Sequence, residues 1–223
     1  MTLVWLRRVL LVVPPLALAV VLWWHPDGGD DDVYEGVRHD VDAWMLVHTV
    51  FLVFIPLIGL AGYLLVSGLE GRAATVSRVA LLLFLVFYTA YEVTVGVGTG
   101  ILVDYANGLP ADEQAVVADA IQDYNRSGVV GDPASFSLIV GFFGWVVAMI
   151  AAAIAFRRAG AGRLVTVLVG FAALFAIHPP PIGPVGLVCF AAAAVLVERW
   201  RGDTRVLHDH SVVPMVTPGS LTT

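Results

Sequence analysis

The sequence predicts an all-α integral membrane protein, a bundle of about six transmembrane helices with an external amphipathic helix. Three observations predict this fold. Of the 223 residues, 59% are hydrophobic and only 13% are charged, whereas a soluble domain is usually about a quarter charged. Apolar stretches recur at the length of roughly 20 residues that a bilayer crossing requires. Arginines are concentrated in alternate connections, as expected for a chain that crosses a membrane repeatedly.

The predicted transmembrane domain covers residues 1–201. Its spans run over about 4–24, 43–67, 78–103, 136–156, 163–178 and 182–198. The first span resembles a signal peptide, but it ends in two tryptophans without a small-residue cleavage site, so we interpret it as a retained helix. The last two spans are short and joined by a proline-rich connection. They are either two short helices or one re-entrant hairpin.

The distribution of arginine predicts the orientation. All 12 basic residues are arginine. Ten of them lie in alternate connections, so that they fall on one side of the membrane: Arg7, Arg8, Arg72, Arg78, Arg157, Arg158, Arg163, Arg199, Arg201 and Arg205. Only Arg38 and Arg126 lie on the other side, which also holds 13 of the 18 acidic residues, among them Asp30, Asp31 and Asp32. The positive-inside rule then predicts a multi-pass protein of the cell (cytoplasmic) membrane, with both termini in the cytoplasm.

Residues 104–135 are predicted to form an external connection that contains its own helix, over about residues 110–124. Acidic residues stand in the first turn of this helix, and one of its faces is apolar. That face carries Val117, Ile121 and Tyr124. Residues 202–223 are predicted to form a disordered cytoplasmic tail.

Glu92 is the ionisable residue deepest within a predicted span, roughly 16 Å from its external end. An isolated charge at this depth is costly, so we expect Glu92 to be protonated at neutral pH. Tyr88, one turn earlier on the same face, is a predicted partner. A neutral Glu92 is also expected to donate to the Leu52 carbonyl that Pro56 leaves free. Glu92 is therefore either an interhelical clamp or a group that handles protons or ions.

Histidines and acids near the predicted external surface form a second group. The opposed lean of side chains on antiparallel helices is expected to separate His48 from Glu92, with room for a bridging water or ion. The other members are His25, His39, Asp40, Asp42, Asp104 and His178. They lack the spacing of a metal site, so we predict no metal and no other cofactor. The candidate intramembrane polar site comprises Glu92, Tyr88, His48 and His178.

Gly96 and Gly100 lie four residues apart in the third span. Small residues at this spacing let a second helix approach closely. We predict a helix-packing seam along these two glycines.

The motifs present do not define a biochemical activity. Nucleophile elbows, phosphate-binding loops and cysteine motifs for haem or zinc do not occur in the sequence. We expect a small transporter-like or scaffold component; the alternative is an intramembrane metal- or haem-dependent enzyme with a site at the outer face. The expected partner is the lipid bilayer, without nucleic acid. A membrane-protein partner or homo-oligomer is compatible with the sequence but not specified by it.

Overall fold

The structure, a computed structural model, describes residues 3–26, 28, 32–129 and 135–211, with side chains described as far as residue 202. Asp30 and Asp31 of the predicted external surface and residues 212–223 of the predicted tail lie outside the described residues. Within the described ranges, every regular element is a helix. The prediction of an all-helical chain is confirmed.

Among the described residues, five helices are long and apolar enough to cross a membrane. They are α1 (Leu3–Leu22), α3 (Val41–Val66), a combined helix (Arg72–Asn107), α7 (Phe136–Arg158) and α9 (Ile182–Ser211). The combined helix consists of α4 (Arg72–Tyr91), a π-helical segment (Glu92–Val97) and α5 (Gly98–Asn107). The short α2 (Val33–Val37) precedes α3, and α6 (Ala111–Arg126) follows α5.

The predicted span 163–178 is helical over residues 163–176 and not uniformly α-helical. The helix α8 (Arg163–Phe171) continues as a 3₁₀-helix over Ala172–Ala176. Trp145 donates its indole N–H to the carbonyl of Ala172 at 2.8 Å, at the point where the helix tightens. A 3₁₀-helix rises about 2.0 Å per residue, so the nine α-helical and five 3₁₀-helical residues together reach about 24 Å.

The last helix is longer than predicted. It continues to Ser211, past the predicted end of the span at 198 and of the domain at 201. Residues 202–211 are part of this helix, and the disordered tail over 202–223 stays a prediction. The sequence offers a physical reason for the longer helix, because the first proline after the span is Pro214, and a helix without a breaker can continue into solvent.

The amphipathic helix predicted within the long connection is present as α6. Ile121 is 1% exposed on its inner face, flanked by the half-buried Val117 and Tyr124. The acidic face is exposed, through Asp112, Asp119 and Asp123. The inner face packs on α2 and α5, where it forms a small apolar cluster separate from the main core.

Helices α4 and α7 pack with their backbones in close approach. A Cβ atom on Gly144 would lie 2.8 Å from the backbone nitrogen of Phe84, and one on Gly141 would lie 2.7 Å from that of Tyr88. Because the opposing atoms belong to the backbone, only glycine permits this separation. The main core surrounds this contact, with aromatic rings from four elements: Phe84, Trp145, Phe175 and Phe190.

At one end of the bundle, the start of α1 meets the end of α3 and the end of the apolar part of α9. Arg7 donates to Glu198 at 3.0 Å, to the Ser67 hydroxyl at 2.9 Å and to the Leu64 carbonyl at 2.9 Å. Arg201 donates to the Ser67 carbonyl at 2.7 Å. These bonds add donors to carbonyls at the C-terminal end of α3, where intrahelical hydrogen bonding ends.

Candidate functional site

A group of buried and half-buried polar side chains lies at the opposite end of the bundle from the Arg7–Glu198 contact. We call it the histidine–glutamate cluster, and it consists of His25, His48, Tyr88, Glu92 and His178. His25 follows the end of α1, and His48 lies in the second turn of α3. Tyr88 and Glu92 come from the combined helix, and His178 follows the 3₁₀-helix. All four predicted site residues thus belong to one cluster.

Glu92 and His48 face each other in the interior. Glu92 is 1% exposed and His48 is 3% exposed, and the Glu92 Oε2 atom lies 3.8 Å from His48 Nε2. The prediction that the lean of the two helices keeps these side chains well apart is wrong. It assumed one continuous α-helix, whereas Glu92 begins the π-helical segment, where the α-helical bonding pattern is interrupted.

Gly96 provides the space for this approach. The His48 ring lies directly against Gly96, where a Cβ atom would overlap it. One turn later, Gly100 faces Met45 of α3 in the same way. The two glycines predicted to form a packing seam therefore both face α3.

The hydrogen bond predicted from Glu92 to the Leu52 carbonyl is not formed. In the described part of the chain, the Glu92 Oε1 atom is buried and has no hydrogen-bond partner. The two groups were expected to meet because they lie at similar depth, but depth alone does not fix the direction of a side chain. A buried polar atom without a partner is rare in folded proteins and calls for an explanation.

Tyr88 does not bond to Glu92 as predicted but contacts a histidine. Its hydroxyl lies 2.7 Å from Nδ1 of His178, and the tyrosine itself is 1% exposed. Its backbone lies against Gly141 of α7. The close packing of α4 on α7 therefore sets the position of the Tyr88–His178 pair.

His25 is the cluster member that the sequence analysis placed in the external group but not in the candidate intramembrane polar site. Its ring centroid lies 5.0 Å from that of His48 and 5.0 Å from that of His178, edge-on to both. Phe51 also contacts both of these rings, at 5.4 Å and 5.7 Å. The three imidazoles therefore form a row with His25 in the middle. No spacing motif links the three histidines in the sequence, so only the fold reveals the row.

The Nδ1 atom of each imidazole contacts an oxygen. The partners are the Pro26 carbonyl for His25 at 2.7 Å, the Trp44 carbonyl for His48 at 2.8 Å and the Tyr88 hydroxyl for His178 at 2.7 Å. A carbonyl can only accept, so Nδ1 of His25 and of His48 carries the proton. The Nε2 atom of a neutral His48 is then an acceptor, and it is this atom that faces Glu92.

Two aromatic side chains from neighbouring helices donate hydrogen bonds to backbone carbonyls of the π-helical segment. Trp44, stacked on His48 at 4.2 Å, donates its indole N–H to the Gly96 carbonyl at 2.7 Å. Tyr124 of α6 donates to the Thr94 carbonyl at 2.8 Å, and burial raises the pKa of its phenol. These bonds satisfy carbonyls in a segment where α-helical bonding is interrupted.

The remaining residues of the predicted external group do not join the cluster. His39, Asp40, Asp42 and Asp104 are all exposed. Across the described residues, no three His, Cys, Asp or Glu side chains are arranged to hold one metal ion.

No protein-family model, curated protein or solved structure matches the chain. The functional inference therefore starts from the geometry of the cluster.

Proposed function

We propose that the chain is a multi-pass membrane protein of the small-transporter class whose histidine–glutamate cluster accepts and releases a proton. The observation that carries this proposal is the buried pair of Glu92 and His48, with Oε2 and Nε2 3.8 Å apart. A carboxyl group in an apolar bundle is costly unless it is neutral or paired. Its presence opposite a titratable ring, with Oε1 unpartnered, is typical of a functional group rather than of a packing contact.

The chemistry of the pair follows from its tautomers. His48 donates Nδ1–H to Trp44, so its neutral Nε2 can only accept. A protonated Glu92 presents the matching donor, and transfer of its proton to Nε2 gives an imidazolium–carboxylate pair. Charge separation in low dielectric is unfavourable, so the neutral pair is the expected resting state. At 3.8 Å the pair is longer than a hydrogen bond, and a small side-chain rotation or a bridging water completes the transfer.

The other cluster members extend this pair into a row. His25 lies next to both His48 and His178, and His178 contacts the Tyr88 hydroxyl. Imidazoles exchange protons near neutral pH. The row thus offers successive acceptor sites between the buried Glu92 and the end of the bundle.

We further propose six crossings of the cell membrane, with α8 and its 3₁₀ extension as the short fifth crossing and both termini in the cytoplasm. The Arg7–Glu198 contact holds the start of α1 beside the end of the apolar part of α9, which supports an even number of crossings. The positive-inside rule assigns this arginine-rich end to the cytoplasm.

Cysteine labelling tests the orientation. In a Cys189→Ala background, an impermeant thiol reagent added to intact cells is expected to label Ala115→Cys on the exposed face of α6. Gly162→Cys, in the α7–α8 connection where a side chain meets no neighbour, is expected to react only after permeabilisation. Labelling of Gly162→Cys in intact cells would reverse the assignment.

Glu92→Gln tests proton handling, because glutamine keeps the shape of the side chain and cannot release a proton. In infrared difference spectra of purified protein between about pH 6 and about pH 9, a carboxyl C=O band is expected in the wild type and not in Glu92→Gln. Proton entry into proteoliposomes, followed with an entrapped pH-sensitive dye, is expected to fall about tenfold or more.

Glu70→Gln is the matched control, because Glu70 is exposed in the α3–α4 connection. This variant should retain both the band and the proton entry. An unchanged band in Glu92→Gln would refute the assignment of Glu92, whereas loss of both signals in Glu70→Gln would show that the assay reports something other than the cluster.

One observation favours a second candidate, an intramembrane metal-dependent enzyme. A histidine that ligates a metal usually donates its other ring N–H to a carbonyl or carboxylate. The Nδ1 atoms of His25 and His48 each donate to a backbone carbonyl in this way. The buried pair of Glu92 and His48, with Oε2 facing Nε2, favours the proton assignment over this candidate. Stoichiometric zinc or iron in purified protein, lost in both His48→Ala and Glu92→Ala, would favour the metal enzyme.

A further inference from the structure

A cavity of about 440 Å³ opens where α1 begins and where α3 and the apolar part of α9 end. Three guanidinium groups and one carboxylate line it: Arg7, Arg8, Arg201 and Glu198. This end of the bundle is remote from the histidine–glutamate cluster, and neither the proton assignment nor the packing of the core requires an open cavity here.

The charges around this cavity are unbalanced. All three arginines approach the same carboxylate, Glu198, at 3.0 Å for Arg7, 3.8 Å for Arg8 and 3.5 Å for Arg201. Capping of α3 explains Arg7 and Arg201, which donate to its terminal carbonyls. It does not explain Arg8, whose side chain is 61% exposed. Among the described side chains that line the cavity, arginines outnumber carboxylates, and the exposed guanidinium of Arg8 favours an anionic ligand.

The cavity continues into an apolar groove. A second cavity, of about 240 Å³, shares Arg8 and Glu198 with the first and follows the α1–α9 pair. Its other lining includes Leu11, Val12, Ala194 and Val195. A third cavity, of about 480 Å³, lies further along α1 and α9, and its lining includes Val20 of α1 and Val185 of α9. From Arg8 to Val20 the groove extends about 18 Å at 1.5 Å per residue, close to the roughly 15 Å depth of one hydrocarbon leaflet.

We propose that this arginine-lined cavity and the α1–α9 groove together bind one anionic phospholipid. The phosphate lies beside Arg8, near the arginines that cap α3, and an acyl chain lies along the apolar groove. Basic pockets between helices at the cytoplasmic side are suited to anionic headgroups. The groove selects a lipid over free phosphate, because inorganic phosphate would leave the apolar lining unused. The proposal rests on the membrane location proposed above and is independent of proton handling.

The experiment measures lipid retention by native mass spectrometry of detergent-purified full-length protein, titrated with dioleoyl phosphatidylglycerol. Arg8→Gln is expected to weaken binding about fivefold, the effect of one arginine near an anionic headgroup. Val195→Trp fills the groove from a 39% exposed position and is expected to weaken binding at least as much. Two control variants carry the same two substitutions at positions outside the groove. They are Arg72→Gln, at the exposed start of α4, and Val79→Trp, at a 53% exposed position.

Each outcome decides the proposal. Weaker phosphatidylglycerol binding in Arg8→Gln and Val195→Trp, with both controls unchanged, supports it. Equal retention of dioleoyl phosphatidylcholine would show unspecific annular lipid and overturn it. Competition by inorganic phosphate, with no effect of Val195→Trp, would assign a free-anion site and also overturn it. Loss of the Glu92-dependent infrared band has no bearing on these results, so the two proposals can fail separately.

Discussion

Gly144→Ala is expected to lower the free energy of unfolding by about 2–3 kcal/mol, although alanine is intrinsically the better helix former by about 1 kcal/mol. The added Cβ would lie 2.8 Å from the Phe84 nitrogen and 3.0 Å from the Ala80 carbonyl oxygen. Neither atom can move unless α4 moves away from α7. Gly141→Ala, which meets the backbone of Tyr88 at 2.7 Å, should have a similar effect. Thermal or denaturant unfolding in detergent measures both.

Gly170→Ala is the matched control for this packing effect. Gly170 is also helical, in α8, but a Cβ there meets no atom within 4 Å. The same substitution should therefore be neutral or stabilising by up to about 1 kcal/mol. Equal losses of stability at Gly144 and Gly170 would show that the close approach of α4 and α7 does not limit stability.

Glu92→Met is expected to stabilise the protein by about 1–3 kcal/mol while removing proton exchange. Methionine has a similar volume and carries no polar atom that needs a partner, whereas Glu92 buries an oxygen without one. Functional groups often reduce stability in this way. The measurement is the melting temperature in detergent, compared for Glu92→Met, Glu92→Gln and Glu92→Ala.

The clamp interpretation of Glu92 gives the opposite order. If the carboxyl held two helices together, Glu92→Gln would retain a donor and melt like the wild type. Glu92→Ala and Glu92→Met would then both be destabilised, by about 1–3 kcal/mol. Destabilisation of Glu92→Met would thus restore the clamp interpretation and weaken the proton assignment.

The sequence predicts the helices better than the contacts between them. Helix α6 was predictable because acidic and apolar residues alternate with helical period between Pro110 and Tyr124. Apolar length alone identified the five long helices. The 3₁₀ turn at Ala172–Ala176 was not predictable, since it depends on a hydrogen bond from Trp145, a residue distant in the sequence.

The candidate site was predictable by residue type and not by geometry. Glu92 stood out because a carboxyl is rare inside an apolar span. Its actual neighbour depends on the π-helical segment, whose sequence EVTVGV contains no signal that separates it from an ordinary α-helix. His25 contributes through tertiary packing alone, because its ring meets two histidines that are distant along the chain.

The π-helical segment gives the combined helix two rotational phases. On its N-terminal side, Ala80 and Phe84 face α7, and on its C-terminal side Gly96 and Gly100 face α3. One inserted residue offsets the phase of an α-helix by about 100°. If the π turn migrated along the helix by a residue, Glu92 would rotate about the helix axis and leave His48 without any bend in the helix. Such a rotation would separate the pair proposed to share a proton, and the aromatic hydrogen bonds from Trp44 and Tyr124 would oppose it.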